Sequence, residues 1–386
     1  MANGDTGNIE IVHCSGCVDA KENFFRQLHL TDEIMLYSQF IHLRICHSHT
    51  TPNLPETWLR YSLAMSSELH PDRNLAMELV RATEAAAIRS FPFIGKGDKN
   101  AADGAAVDAM RAFLGTVNFE GKVVIGEGEK DNAPMLFNGE ILGTGNGPKV
   151  DIAVDPIDGT SLTAAGRLNA ISVIAAADRG SMLDASSVFK MDKFVVGRPG
   201  VGVCDITMSL EDNLKEYSKA SGKPVDEILV AILDREYNLD FVEQVRSAGA
   251  ATRLLRDGDV AGGIQAARGE SRIDMCVGIG GSPEGVITAA GVKALGGQIQ
   301  GILHPLSQEE RERGAADGLK FDHVYQMNDM VSSDNTFFVA TGVTDGPLVS
   351  GVRKRGEIIF AESIVVRGRS GTVRKVYAEY QASRWL

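Results

Sequence analysis

The feature that most constrains this chain is an apolar run that ends in two acids, a glycine and a hydroxyl, VDIAVDPIDGT at residues 150–160. Its β-branched residues predict a strand, and Pro156 and Gly159 are expected to end that strand and turn the chain. Asp155 and Asp158 would then lie where a buried strand opens into a loop. Two carboxylates at this spacing can face one cation, and the amides that follow can face an oxyanion at a helix start. The same residue types are common in plain turns, so the segment alone leaves both interpretations open.

Length and charge limit the classes of protein to which the chain can belong. Its 386 residues are enough for two domains. A formal net charge of −12 without a large basic block argues against nucleic acid or a membrane surface as a partner. No apolar run approaches the roughly 20 residues that span a bilayer, and five cysteines without framework spacing favour a reducing compartment. We expect a soluble, cytoplasmic protein.

Residues 1–64 differ from the rest of the chain. They contain five of the eight histidines and show no sustained hydrophobic periodicity. They also lack the charged start, apolar core and cleavage site of a secretory signal. We interpret them as a poorly ordered N-terminal extension or a non-native start, with the working protein beginning near Met65. The alternative is a zinc site, for which the available ligands are Cys14, Cys17, Cys46, His47 and His49.

From residue 72 onward the pattern predicts helices and strands. Asp72 is expected to cap a first helix, and a second helix is expected to follow Asp103. Strands are predicted at 122–125, 150–154 and 171–176.

After about residue 205 strands and helices alternate, which predicts βαβ units on a parallel sheet. The predicted strands are 229–233, 252–255 and 273–277, and the helices are 241–247, 260–267 and 285–294. Three last strands, at 335–340, 357–366 and 372–380, are expected to be antiparallel and to pack back onto the body.

Four further clusters resemble the first segment, with an acid beside glycine at the end of an apolar run or the start of a helix. They are residues 96–104, 125–129, 257–259 and 280–285. Phosphate ester hydrolysis requires a reactive water, and two metal ions roughly 3.5–4 Å apart stabilise both the attacking and the leaving oxygen. Hard ions such as Mg²⁺ or Mn²⁺ prefer carboxylate and carbonyl ligands, and glycine lets the backbone approach a phosphate. Five such clusters in one chain therefore favour a metal and phosphate site.

Taken together, these segments resemble the class II fructose-1,6-bisphosphatase family. The motifs run in the family's order from about residue 72 to near the C-terminus. They are GDKNAADGAAV (97–107), VVIGEGE (123–129), APML (133–136), VDIAVDPIDGT (150–160), DGDVA (257–261), GIGGSPEG (278–285), ATGVTDG (340–346) and RGRSGTV (367–373).

The resemblance implies a fold, a reaction and a cofactor. The fold is α/β, the layered αβαβα sugar-phosphatase fold with two sheet-containing halves. The implied reaction is metal-dependent hydrolysis of the 1-phosphate of fructose 1,6-bisphosphate to fructose 6-phosphate and phosphate, a step of gluconeogenesis, with Mg²⁺ or Mn²⁺ as cofactor. We expect a metal- and phosphate-binding half at 65–205, a sugar-binding α/β half with C-terminal strands at 206–386, and a homo-oligomer.

Carried over position by position, the resemblance also implies site residues. The metal-site acids would be Asp103, Glu127, Asp155, Asp158 and Glu284. Thr160 would help to activate the attacking water together with Asp103 and Glu127, and the amides of Gly159 and Thr160, beside Asp158, would hold the 1-phosphate. The sugar would contact Asp257, Gly258, Asp259 and Gly281. For Asp98, Asp103 and Glu129 a structural role stays open: Asp98 as a loop acid, Asp103 as a helix cap, and Glu129 as a partner that orients Glu127 or Lys130.

Two positions depart from the family pattern, in segments that line the sugar and its distal phosphate. Lys190 stands where the family usually has tyrosine, and Arg235-Glu236-Tyr237-Asn238 replaces a basic-Pro-Arg-His segment. Loss of an arginine at Tyr237 removes a bidentate phosphate donor, while Lys190 brings a new cation. We expect Lys190, Arg235 and Tyr237 to contact the substrate.

These departures leave alternatives open. They are a phosphatase of sedoheptulose 1,7-bisphosphate or another phosphosugar, and a phosphosugar-binding regulator of the same fold without catalysis. A dinucleotide loop at 278–285 fits poorly because Pro283 and an acid lie inside it. A serine hydrolase is disfavoured because His304 and His323, the only histidines after residue 72, lie in no matched motif.

Overall fold

The computed structural model of the protein describes residues 75–127 and 136–385. Within these ranges it contains nine α-helices and fourteen strands that form two sheets. None of these helices has the length and apolar character of a membrane span.

The described ranges contain the following α-helices. They are α1 (Ala76–Ser90), α2 (Lys99–Leu114), α3 (Thr160–Ala164), α4 (Leu210–Ser221), α5 (Leu239–Ser247), α6 (Val260–Ala267), α7 (Ser282–Leu295), α8 (Gln308–Ala316) and α9 (Met327–Met330).

The strands alternate with these helices along the chain. They are β1 (Glu120–Ile125), β2 (Ile141–Leu142), β3 (Lys149–Asp158), β4 (Ile171–Asp178), β5 (Lys190–Val196), β6 (Leu229–Leu233), β7 (Ala251–Leu255), β8 (Met275–Gly281), β9 (Gln298–Leu303), β10 (Tyr325–Gln326), β11 (Phe337–Gly342), β12 (Arg353–Arg355), β13 (Ile358–Arg367) and β14 (Thr372–Gln381).

The first sheet joins the early strands to the last ones. Its order is β12-β13-β11-β4-β3-β1-β2, with β14 also paired to β13. β1 and β3 are parallel, whereas β4, β11, β13 and β14 pair in antiparallel fashion. The expectation that the C-terminal strands are antiparallel and pack back onto the body is therefore confirmed.

The second sheet is formed by the middle of the chain, in the order β10-β9-β5-β8-β6-β7. β6 is parallel to both β7 and β8, as the βαβ pattern predicts. The sheet as a whole is mixed, because β5 runs antiparallel to both β8 and β9. The sequence boundary at residue 205 does not separate the sheets, since β5 lies before it and the C-terminal strands return to the first sheet.

Three apolar clusters lie between five layers. One packs α1 and α2 against the first sheet through residues such as Leu79 and Ile174. A second joins the two sheets through α6 and α7, with Ile264 and Val286 in its middle. A third packs α4 and α5 on the outer face of the second sheet, where Leu214 lies. The predicted αβαβα layering is confirmed.

Alternation along the strands explains the layering. In β4, Ile174 and Ala176 face the first cluster, while Val173 and Ala175 face the second. Because side chains alternate between the two faces of a strand, one apolar strand supplies both interfaces. The strand predicted at 171–176 is confirmed.

Among the element boundaries that differ from the predictions, two bear on the site. β3 does not stop at Pro156 but continues to Asp158, because a register shift against β4 accommodates the proline. α2 begins at Lys99, so Asp103 lies inside the helix rather than before it. The predictions for the extension and zinc ligands within 1–64, for Met65 and Asp72, and for Glu129 fall outside the described residues.

Candidate active site

The carboxyl ends of two parallel strands bring three predicted acids to one edge of the first sheet. β1 and β3 are parallel, and Glu127 follows the end of β1 by two residues. Asp155 and Asp158 lie in the last part of β3. Parallel strands end at the same edge, so the acids meet although the chain separates them.

A bulge in β3 lies between its two acids, Asp155 and Asp158, and changes the direction of their side chains. Asp155 pairs with Val173 and Asp158 pairs with Ile171, so between these pairs two residues of β3 lie opposite one of β4. The amide of Ile157 donates a hydrogen bond to Asp155 Oδ1 at 3.0 Å. Such a bulge re-aims side chains at the end of a strand.

Gly159 makes the turn from β3 into α3. Its φ of 100° lies in the left-handed region, and α3 begins at Thr160. An alanine there would be strained by this backbone and would approach Leu162 at 3.0 Å. The left-handed backbone conformation thus explains why the sequence motif has a glycine at this position.

Asp98, not Asp103, caps α2. The Asp98 side chain accepts a hydrogen bond from the amide of Ala101 at 2.9 Å. Asp103 is 5% exposed and lies in the second turn of the helix. The alternative that Asp103 serves as a helix cap is therefore wrong.

The second sheet contributes from the opposite side. Arg235 and Tyr237 follow β6, and residues 257–259 join β7 to α6. Gly281 ends β8, and Glu284 lies in the first turn of α7. β6, β7 and β8 are parallel to one another, and these segments follow their carboxyl ends.

These segments enclose a cavity of about 410 Å³, the size of a small-molecule site. All fourteen predicted site residues line it, and so do Ile157, Phe189, Leu233 and Pro283. Neither His304 nor His323 does. The predicted residues that line the cavity are Asp103, Glu127, Asp155, Asp158, Gly159, Thr160, Lys190, Arg235, Tyr237, Asp257, Gly258, Asp259, Gly281 and Glu284.

The acids in this cavity raise one another's pKa values. Burial, followed by repulsion from Asp158, Glu127 and Glu284, raises the pKa of Asp155 well above its usual range. Burial and then Asp259 raise the pKa of Asp158 in the same way. Charged acids in such a site favour a compensating cation.

Lys193 is a charged residue of the site that the sequence analysis missed. It lies in β5, 6% exposed, and its Nζ is 2.6 Å from Asp259 Oδ2 and 3.0 Å from the carbonyl of Gly281. Burial lowers its pKa, but Asp259 and Glu284 outweigh that effect and raise it. Its only local signal is its position directly before the apolar residues 194–196 of β5.

Arg235 is held on the wall of the cavity. Its guanidinium donates to Asp257 Oδ1 at 2.7 Å and to the carbonyl of Arg256 at 2.6 Å. Asp257 Oδ2 also accepts the amide of Ser161 at 3.1 Å. Asp257 therefore connects the second sheet to the first turn of α3.

Lys190 and Tyr237, the two residues that depart from the family pattern, lie next to each other. The ammonium of Lys190 is 5.6 Å from the centre of the Tyr237 ring, within the range of a cation–π contact. Tyr237 is 45% exposed. In the described ranges Lys190 has no ion pair, whereas Lys193 and Arg235 each have one.

The donor set of the cavity fits a hard divalent cation. Five carboxylates predicted as ligands line it, and Oε2 of Glu284 is buried without a hydrogen-bond partner. Within the described ranges, no three acidic, histidine or cysteine side chains already stand close enough to hold an ion.

The layered fold and the acidic cavity define a class, that of α/β metal-dependent phosphatases. Residues 73–380 match the family model described as bacterial fructose-1,6-bisphosphatase, glpX-encoded. The chain belongs to this family.

Curated relatives agree with the family model. The chain is 41% identical over 325 residues to "Fructose-1,6-bisphosphatase 1 class 2" of Escherichia coli (strain K12), a match that covers 81% of this chain and 96% of the relative. "Fructose-1,6-bisphosphatase class 2" of Shigella flexneri matches at the same identity and coverage. Among solved structures, an inositol monophosphatase from Anabaena (Nostoc) sp. PCC 7120 matches 50% of this chain and 71% of its own at 13% identity. Its TM-score of 0.26 is too low to establish a shared fold.

Proposed function

We propose that this protein hydrolyses the 1-phosphate of fructose 1,6-bisphosphate to give fructose 6-phosphate and phosphate, as in gluconeogenesis. The observation that carries the proposal is a single cavity that joins the acids of the first sheet to the basic and sugar-facing residues of the second. Family membership supports the same reaction.

The acids on the first-sheet side of the cavity, with Glu284, would bind Mg²⁺ or Mn²⁺. The raised pKa values of Asp155 and Asp158 and the unpartnered oxygen of Glu284 support this role, because each carboxylate gains from a cation. When bound, divalent cations stabilise negative charge on the phosphoryl group and make water a stronger nucleophile. The proposed ligands are Asp103, Glu127, Asp155, Asp158 and Glu284.

Thr160 would orient the attacking water, with Asp103 and Glu127 nearby to accept its proton. Thr160 begins α3 directly after the left-handed Gly159, and both residues line the cavity. Their amides would hold the 1-phosphate. Ser161 is engaged by Asp257, which fixes the first turn of this helix.

The sugar would lie against residues 257–259 and Gly281. The Lys193–Asp259 pair orients the Asp259 carboxylate, and Lys193 also holds the Gly281 carbonyl. Hydroxyl groups of a sugar are suitable partners for such fixed carboxylates. Close packing explains the glycines, since a Cβ at Gly258 would lie 2.6 Å from Asp158 Oδ1.

The distal phosphate would be held mainly by Lys190, with Tyr237 and Arg235 beside it. Arg235 is already engaged by Asp257 and Lys193 by Asp259. Of these three cationic side chains, Lys190 is therefore the one whose charge can bind a second phosphate. Its contact with the Tyr237 ring supports an orientation toward the cavity.

The test is a panel of phosphosugars with Mg²⁺, Mn²⁺ and Li⁺. We expect phosphate release from fructose 1,6-bisphosphate with Mg²⁺ or Mn²⁺, inhibition by Li⁺, and fructose 6-phosphate as product. Hydrolysis of another phosphosugar only would contradict the named substrate but keep the reaction class. Saturable phosphosugar binding without phosphate release would favour a non-catalytic regulator.

A second substrate is favoured by one observation. Since Arg235 is held by Asp257 and residue 237 is a tyrosine, the distal end lacks a free bidentate guanidinium. The ammonium of Lys190 constrains the position and orientation of a phosphate less than a bidentate guanidinium does. Sedoheptulose 1,7-bisphosphate, with one more carbon between its phosphates, is therefore the next substrate to test.

Two finer points belong to the same proposal. We place the protein in the cytoplasm, in keeping with the free buried thiols of Cys204 and Cys276. We also propose a homo-oligomer on the basis of the family resemblance. Size-exclusion chromatography with light scattering tests the second point, and a monomer at micromolar concentration would contradict it.

A further inference from the structure

A second cavity lies beside the first, and three arginines line it. We call it the arginine cavity. Its volume is about 430 Å³, which suits a small organic ligand. Arg167 follows α3, while Arg253 and Arg256 come from β7 and the loop after it.

These arginines lack partners within the described part of the protein. In residues 75–127 and 136–385, none of the three side chains makes an ion pair or a hydrogen bond. The acid that lines the cavity, Asp257, is already neutralised by Arg235. The lining therefore carries an uncompensated positive charge in a protein whose net charge is −12. Such a concentration of unpaired guanidinium groups is a favourable setting for an anion.

The same cavity has an apolar side. Leu168 is 62% exposed and Leu254 is 40% exposed, and both line it together with Pro347. Exposed leucines next to unpaired arginines suit a ligand with an anionic end and an apolar body. Guanidinium groups bind phosphate oxygens in bidentate geometry, which favours phosphate as the anionic end.

The arginine cavity shares its wall with the active-site cavity. Asp257 and Gly258 line both. In α3, Thr160 lines the active-site cavity and Leu162 lines the arginine cavity. The carbonyl of Arg256 accepts a hydrogen bond from Arg235, which lines the active-site cavity. A ligand bound to Arg256 would therefore act on the part of the active-site wall that faces the substrate.

We propose that the arginine cavity is a separate binding site for a small phosphate-bearing molecule with an apolar group, and that its occupancy changes the KM of the active site through the Asp257–Gly258 wall. The binding part of this proposal does not depend on the proposed phosphatase activity.

Phenylphosphonate is a suitable probe because its C–P bond resists hydrolysis. Calorimetry on the full chain in EDTA should give saturable binding at millimolar concentrations. The double variant Arg167→Gln with Arg253→Gln should lose affinity at least about tenfold, because each charged hydrogen bond contributes on that scale. Inorganic phosphate, run in parallel, should bind more weakly because it lacks the apolar body.

Two control variants show whether the probe binds specifically in the arginine cavity. Arg353→Gln with Arg355→Gln removes two exposed arginines of β12 and should leave binding unchanged. Lys190→Gln alters the active-site cavity and should also leave it unchanged. In turnover assays, phenylphosphonate should shift the KM of the wild type but not that of the Arg167/Arg253 double variant, whose basal kcat should match the wild type.

The proposal is overturned if phenylphosphonate does not bind to the wild type, or if the Arg167/Arg253 double variant binds it equally well. Loss of binding in Lys190→Gln alone would assign the probe to the active-site cavity. Equal KM shifts in the wild type and the double variant would reject the coupling. An inactive protein that still binds phenylphosphonate through these arginines would leave the site intact while rejecting the phosphatase function.

Discussion

Asp257 holds the guanidinium of Arg235 at 2.7 Å on the wall between two cavities. Its other oxygen accepts the amide of Ser161 at 3.1 Å, in the first turn of the helix that follows β3. One carboxylate thus connects the two sheets at the point where the proposed phosphate and sugar sites meet.

A double-mutant cycle tests this connection. Asp257→Asn and Arg235→Gln should each lower kcat/KM, and the double variant should lose less than the sum, because either change breaks the same pair. We expect a coupling energy of about 1–3 kcal/mol. The Arg268–Glu270 pair, at 2.8 Å with Glu270 on the surface, is the matched control and should show almost none. Additive effects at Asp257 and Arg235 would contradict the proposed connection.

Lys190→Gln tests recognition of the distal phosphate. We expect the KM for fructose 1,6-bisphosphate to rise about tenfold, since a charge-assisted contact contributes roughly 1.5–3 kcal/mol. The kcat should change little because Lys190 is neither a proposed metal ligand nor one of the residues proposed to activate the water. Steady-state kinetics with a sugar monophosphate as comparison should show a smaller effect there. Lys354→Gln, an exposed position on β12, is the control, and equal losses for both substrates would reject the role.

Asp155→Asn should make the metal-free protein more stable while it abolishes activity. Because the folded-state pKa of Asp155 is raised, its ionised form destabilises the fold above that pKa, and this cost is absent below the unfolded-state pKa. The gain in Tm should therefore be largest at alkaline pH, with about 1–2 °C for each kcal/mol regained.

Thermal denaturation with EDTA and then with Mg²⁺ measures this effect. Added Mg²⁺ should raise the Tm of the wild type more than that of the variant, since only the wild type keeps the full ligand set. Asp108→Asn, an exposed position on the same helix as Asp103, is the control. A variant that is less stable than the wild type in EDTA at alkaline pH would refute the repulsion between the acids.

Glu84 provides a test of stability away from the cavity. It lies 2% exposed in α1, and burial raises its pKa despite hydrogen bonds with Tyr380 and Ser363. The folded protein therefore loses stability as pH rises from the ordinary glutamate value through the raised one. Glu84→Gln should remove that part of the pH dependence, measured by urea unfolding across the range. Glu78→Gln in the first turn of the helix, where the side chain is partly exposed, is the control, and an unchanged slope in Glu84→Gln would contradict the shift.

Local patterns predicted the regular elements well. β6 and α6 have the predicted boundaries, 229–233 and 260–267, since Asp234 follows the first apolar run and the second lies between Asp259 and Arg268. Pro156 misled the prediction since the bulge against β4 depends on a strand that is distant in the sequence. Asp98 and Asp103 are both acids before an apolar helical pattern, and only the backbone decides which of them is the cap.

Contacts between residues that are distant in the sequence could not be predicted from the sequence. Lys193 and Asp259 are far apart in the sequence, and the ion pair forms because α6, which begins directly after Asp259, packs against β5. The arginine cavity combines residues of α3, β7 and the C-terminal part of the chain. The matched motifs predicted which residues line the active-site cavity. They did not predict the order of the strands in the two sheets that carry these residues.

Phosphate release from fructose 1,6-bisphosphate by the metal-stripped protein, titrated with Mg²⁺ or Mn²⁺, tests the central claim most directly. The wild type should be inactive in EDTA and regain saturable turnover with either ion. Asp158→Asn should stay inactive at every metal concentration that supports the wild type. Full turnover of the wild type without a divalent ion, or full turnover of Asp158→Asn with one, would contradict a metal-dependent phosphatase centred on β3.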